Sequence, residues 1–283
     1  MASIIENLIY FYNQFDNLAD PTVKKWFLMN SLLYPISILG VYLYFIFLLG
    51  PKMMKNLKPF NINKFIIFYN IIQVIFNAYL CRHTIQYFWD NLNHFRCFKM
   101  SYLTPEEAYW ARIVNWLFVI NKMLDLLDTV FFVLKKKQSH VTFLHVYHHI
   151  MTFFLGWSAA KYSPGGQQVV IGVLNSFVHT VMYSYYLLSL FDRFKFITSI
   201  IKKRITQMQI TQFIIAGVHI IYGFTDPDCD FPAILVYVGT FQTIVFIILF
   251  TNFYRKAYIK RNNPEYKKAQ NGHIQNGFAN KVD

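Results

Sequence analysis

Residues 122–149 place ionisable groups inside otherwise apolar sequence. They read Lys122-Met-Leu-Asp125-Leu-Leu-Asp128-Thr129, then the cations Lys135, Lys136 and Lys137, then His145-Val-Tyr-His148-His149. Charged groups are costly within a membrane helix, about 2.5–3.5 kcal/mol each on insertion scales, so each needs a reason. Histidines at i, i+3 and i+4 lie on one helix face. Neutral imidazoles there can ligate a metal or act as nucleophiles and bases. Carboxylates three residues apart can hold such rings in one tautomer and orientation.

Two further segments carry polar residues at helical spacing. One is Asn175, His179, Tyr183 and Tyr186; the other is Thr206, Gln209 and Gln212. Each set shares one helix face, which lipid would reject. The economical arrangement is four helices turning these faces inward around one cavity. Alone, His179 would serve as a packed interhelical histidine, and the glutamines as interhelical hydrogen bonds.

Metal ligation has a specific form to match. A membrane di-iron desaturase or hydroxylase uses about eight histidines in several boxes. The chain has nine histidines, at 83, 94, 140, 145, 148, 149, 179, 219 and 273, and they form one box. No metal is therefore expected, and the di-iron enzyme is kept as an alternative reading. A non-catalytic seven-helix lipid-binding protein is the other alternative; such receptors usually gather ligand polarity towards the external side.

Composition sets the frame for these faces. Of 283 residues, 55% are hydrophobic and only 14% charged, with mean hydropathy +0.30, against roughly 25% charged residues in soluble domains. The sequence predicts an all-α, polytopic membrane protein with seven transmembrane helices. Spans are expected at 27–49, 65–89, 110–134, 141–160, 166–191, 205–225 and 231–254, each near the ~20 residues a bilayer requires. The domains are then an N-terminal luminal segment 1–26, a catalytic domain 27–254 and a basic tail 255–283. The first span is expected to serve as the targeting signal, since Glu6, Asp16 and Asp20 interrupt the start.

The net charge of +13 would suggest nucleic acid in a soluble protein. Here it follows topology, and no nucleic-acid partner is expected. Nineteen Lys and Arg fall in the tail and in the loops after the first, third and fifth spans, against five on the other side. The N-terminus is therefore expected in the lumen and the C-terminus in the cytosol. Cys97 and Cys229 then both face the lumen, where disulfides persist, and are expected to pair; Cys81 packs within a span. Counting 1.5 Å per residue puts Asp128 about 9 Å, Lys122 about 18 Å and His148 about 10 Å from the cytosolic ends of their spans. The polar faces thus meet in the cytosolic half.

Four motifs occur in order: Lys122-x-x-Asp125-x-x-Asp128-Thr129, His145-x-x-His148-His149, Asn175-x-x-x-His179-x-x-Met182-Tyr183-x-Tyr185-Tyr186, and Thr206-x-x-Gln209-x-x-Gln212. With Gly50-Pro51-Lys52-Met53-Met54 upstream, the chain resembles the very-long-chain fatty-acid elongases, the membrane 3-oxoacyl-CoA synthases. That family usually has Glu where this chain has Asp125, one methylene shorter.

The resemblance implies condensation of a long-chain acyl-CoA with malonyl-CoA, releasing CO2 and CoA, with no bound cofactor. On this reading His148 takes the acyl group as an acyl-imidazole, and His179 is the second candidate for direct participation. Asp125 and Asp128 orient His145, His148 and His149. Lys122, Asn175, Tyr183, Tyr186, Gln209 and Gln212 bind substrate. Lys52, Lys135, Lys136, Lys203 and Arg204 meet the CoA phosphates. An apolar acyl tunnel points to the lumen. The setting is the endoplasmic reticulum membrane. Membrane lipid, a homo-oligomer and other elongation-cycle enzymes are the expected partners. Lys281, third from the end, makes at most a partial dilysine retrieval signal because residue 280 is Asn.

Overall fold

A computed structural model describes residues 6, 7, 10, 16–229 and 231–259. The tail beyond 259, with its cations and Lys281, lies outside the described residues. Among those described, all regular structure is helical.

Helix α1 spans Leu33–Met54 and α2 spans Asn63–Asp90. Helices α3 (Pro105–Asp125) and α4 (Leu127–Leu134) follow, then α5 (Phe143–Tyr162) and α6 (Val169–Leu188). Helices α7 (Lys195–Phe224) and α8 (Ala233–Tyr254) complete the set. Helices α1, α2 and α8, the last with its continuation to Ile259, are long and apolar enough to cross a membrane by length and composition. Helix α4 is too short to cross alone, and α3, α5, α6 and α7 carry polar residues of the four motifs. Helices α3 and α4 form one expected span broken at Leu126, between the two carboxylates.

Burial is inverted relative to a soluble protein. Gln73, Asn121 and Thr129 are fully buried, whereas Val41, Phe68 and Phe241 expose 61–69% of their surface. Lipid as the outer solvent explains both, since buried backbone and polar groups must find partners inside.

Local chemistry fixes the helix ends. Thr104 and Glu107 form a reciprocal capping box with Pro105 in the first turn, starting α3. Thr142 caps α5 by accepting from the His145 backbone N–H. In α1, Pro51 lacks an N–H, and the turn before it widens to a π-helix over Phe45–Leu49. Gly50 lets α1 approach α4: a Cβ there would lie 2.7 Å from Val133 Cγ1 and 2.8 Å from the Phe45 carbonyl oxygen. Hence the Gly50-Pro51 pair serves packing.

The first span starts six residues later than expected. Residues 27–32 are not part of α1, and Leu28 has a positive φ of 69°. Their carbonyls are taken by indoles: Trp157 Nε1 donates to the Leu28 oxygen at 2.7 Å and Trp116 Nε1 to that of Phe27 at 2.9 Å. Lys161, counted from sequence as a loop cation, is buried and pairs with Asp16 at 2.5 Å. Arg112 pairs with Asp20 at 2.9 Å. The segment before α1 is thus tied to α3 and α5.

At the same end, Cys97 and Cys229 are disulfide-bonded with a Cα–Cα distance of 5.8 Å, joining the loops after α2 and α7. Cys81 is a free, buried thiol. Alkylating the denatured protein before reduction should block one cysteine, and after reduction three, read by intact mass. Three blocked without reductant would contradict the pairing. Loss of the bond is expected to cost about 2–5 kcal/mol.

Candidate functional site

The site is built where α2, α3, α4 and α6 meet. Lys122 Nζ donates to Asp125 Oδ2 at 2.6 Å and lies 3.2 Å from His179 Nδ1. The same carboxylate oxygen is 3.4 Å from that ring nitrogen. Tyr183 Oη is 2.8 Å from both Asp125 Oδ1 and Asp128 Oδ2. Lys122, Asp125, Asp128, His179 and Tyr183 are all buried. In a low-dielectric interior such a cluster is tolerable only when its members satisfy one another.

The α2 side of this network was not assigned from sequence. Gln73 Nε2 donates to Asp125 Oδ1 at 3.1 Å and to Tyr69 Oη at 3.1 Å. Gln73 Oε1 accepts from Asn121 at 2.7 Å and from Asn77 at 3.2 Å. Asn70, Gln73 and Asn77 share helical spacing within an apolar span, and that was the available signal. Asp125 therefore contacts its partners directly. Gln73 reaches the shorter carboxylate without an intervening atom.

The histidine triplet lies across α4 from this cluster. His145 Nε2 is 2.9 Å from Thr129 Oγ1, which is 2.8 Å from Tyr42 Oη. Asp128 and Thr129, adjacent in sequence, thus face the two halves of the site. The His145 and His149 ring centroids are 4.4 Å apart, and those of His148 and His149 are 5.6 Å apart. His148 sits among Phe246, Phe250 and Phe213 at 5.1, 5.5 and 6.2 Å. The three rings therefore take different surroundings. Among the described residues no group of three or more His, Cys, Asp or Glu side chains is placed to hold a metal ion.

Phe213 and Phe246 also line a cavity of about 620 Å³ that runs towards the disulfide end. Asn175, one turn before His179, lines it too, with its Oδ1 buried and unpartnered. Further along the walls are apolar, including Val114, Phe118, Leu155, Ile171, Ile220 and Leu235. Its far rim carries His83, Asp90 and Glu106, so that end is polar, a feature not anticipated from sequence.

The remaining expected residues are dispersed. Tyr186 packs on Tyr183 with centroids 5.8 Å apart. Gln209 Nε2 is 3.7 Å from Met182 Sδ, and Gln212 is buried with its Oε1 unpartnered. The basic residues lie at the end opposite the disulfide. Lys52 and Lys203 are exposed there. Lys135 donates to Asn63 Oδ1 at 2.6 Å, Lys136 to the Lys55 carbonyl at 3.3 Å, and Arg204 to Gln207 Oε1 at 3.1 Å. None of these cations is part of the buried network.

Residues 27–266 match the model of the GNS1/SUR4 (ELO) family. The chain belongs to that family. It is 36% identical to very long chain fatty acid elongase 7 of Rattus norvegicus over 260 residues, covering 92% of both chains. It is 35% identical to very long chain fatty acid elongase 1 of Homo sapiens over 270 residues, 95% of this chain and 96% of that one. Against very long chain fatty acid elongase 4 of Homo sapiens the identity is 34% over 286 residues, 99% of this chain and 88% of the other. The resemblance drawn from the four motifs therefore holds along nearly the whole sequence.

Proposed function

We propose that this membrane protein catalyses the condensing step of fatty-acid elongation. It joins a long-chain acyl-CoA to malonyl-CoA and gives a 3-oxoacyl-CoA two carbons longer, CO2 and CoA. The observation that carries this reading is the placement of His148. Its ring lies one side chain from the end of an apolar cavity, through Phe213 and Phe246. The cavity suits an acyl chain, and the imidazole suits its thioester.

In this reading His148 receives the acyl group as an acyl-imidazole. His179, held by Lys122 and Asp125, stands across the site as the second reacting histidine, stabilising the enolate that malonyl-CoA leaves on losing CO2. Asn175 and Gln212 offer neutral hydrogen-bonding groups to oxygens that gain charge. Lys52, Lys135, Lys136, Lys203 and Arg204 receive the CoA phosphates on the cytosolic face. The seven long helices all span the endoplasmic reticulum membrane, with the N-terminus luminal and the tail cytosolic.

Purified protein given a long-chain acyl-CoA and radiolabelled malonyl-CoA should release labelled CO2 from the free carboxyl. The remaining label should appear in a 3-oxoacyl-CoA. Intact substrate binding with no labelled 3-oxo product would sink the proposal.

A further inference from the structure

Gln242 on α8 belongs to none of the four motifs. It is buried with 3% of its surface exposed, and it lines the cavity. Its Oε1 accepts from Tyr147 Oη at 2.8 Å. Its Nε2 has no partner. A buried donor left unmade costs about 1–3 kcal/mol, so this N–H gains most from an acceptor that arrives with substrate.

Two links connect this amide with the histidine. Tyr147, its hydrogen-bond partner, immediately precedes His148 on α5. Phe246, one turn along α8 from Gln242 and about 6 Å in rise, has its ring centroid 6.1 Å from that of Tyr147 and 5.1 Å from that of His148. The methylenes of a saturated acyl chain offer no acceptor. The carbonyl oxygen is the only acceptor such an acyl group brings.

We infer that Gln242 Nε2 donates to the carbonyl oxygen of the acyl group on His148, with Tyr147 holding the amide in that orientation. This rests on the acyl-imidazole reading. The imidazole lone pair adds to the thioester carbon and the C=O π pair moves onto oxygen. Collapse restores the carbonyl and expels CoA thiolate, which takes the proton the imidazole ring gives up. When malonyl-CoA has lost CO2, the enolate carbon adds to the same carbonyl. The oxygen gains charge again, and collapse expels the imidazole nitrogen, which takes a proton from water, the one proton the overall condensation consumes. One donor serves both additions. Gln242 is then a catalytic residue and Tyr147 a positioning residue.

The test uses the full-length protein, with a saturated long-chain acyl-CoA. Acylation rate is read by intact mass and turnover with radiolabelled malonyl-CoA. Gln242→Leu should lower both the acylation rate and kcat about 10²-fold, as for other single oxyanion donors, with the acyl-CoA KM within about threefold of wild type. Gln242→Met, of similar length and without a donor, should do no better. Tyr147→Phe, which leaves the amide in place, should lower kcat about tenfold at unchanged KM. It also decides the matter if neither Gln242 variant folds. Wild-type acylation in Gln242→Leu, or in Tyr147→Phe when that variant stands alone, overturns the inference. So does an effect confined to KM. A wild-type protein that turns over with no adduct on His148 overturns the acyl-imidazole reading, and this inference with it.

Discussion

Replacing His148 with alanine abolishes the acylated form of the protein and lowers turnover by at least about 10³-fold. The expectation follows from what each ring of the triplet touches. His145 is engaged with Thr129, and through it with Tyr42. His149 is buried between its two neighbours. His148 alone packs against the phenylalanines that wall the cavity. A neutral imidazole in apolar surroundings is a competent nucleophile towards a thioester, because its lone pair is not spent on a proton. His145→Ala acts through Thr129 instead, and should slow turnover without removing the adduct. The measurement is intact mass after incubation with acyl-CoA alone, followed by peptide mapping of the modified residue. An adduct that survives in His148→Ala, or that maps to His179 in the wild type, would sink the assignment. His148→Asn keeps most of the volume and guards against a packing defect being read as lost chemistry.

Much of this site was legible because a membrane span makes polar residues conspicuous. Lys122, Asp125, His179 and Tyr183 stand out at helical spacing in apolar sequence, and the fold brings those four together. Spacing also located the helices, since apolar stretches and turn residues punctuate the chain clearly. What it could not give was the partner of each face. Gln73 and Asn121 complete the Asp125 network from another helix, and each alone reads as ordinary interhelical polarity. Tyr147 and Gln242 belong to no repeated pattern and meet across 95 residues of sequence. The late start of α1 was hidden for a related reason. Residues 27–32 are apolar enough for a span, yet two distant indoles claim the carbonyls of Phe27 and Leu28. Charge asymmetry grouped the cations of the basic loops on one side. The side chains of Lys135, Lys136 and Arg204 point to local carbonyl and amide oxygens, which sequence does not specify.

Lys122→Met should be among the most destabilising single substitutions in the chain. It leaves the Asp125 carboxylate buried without its countercharge, 2.6 Å from where the ammonium stood. Removing one member of a buried pair costs about 3–5 kcal/mol, because the remaining charge keeps its desolvation penalty. In a protein of this size that is a fall of roughly 10 °C in melting temperature. The double variant Lys122→Met/Asp125→Leu removes both charges and should recover most of that loss, since apolar replacement of a buried pair is often neutral. Activity separates the two functions of the pair. His179 Nδ1 loses its only close charged neighbours from α3 in the double variant. Turnover should therefore stay at least about 10²-fold below wild type even where the fold is restored. A double variant that is both stable and active would show the cluster to be purely structural. One as unstable as Lys122→Met would show instead that Gln73, left without its carboxylate partner while Tyr183 keeps Asp128, carries the cost.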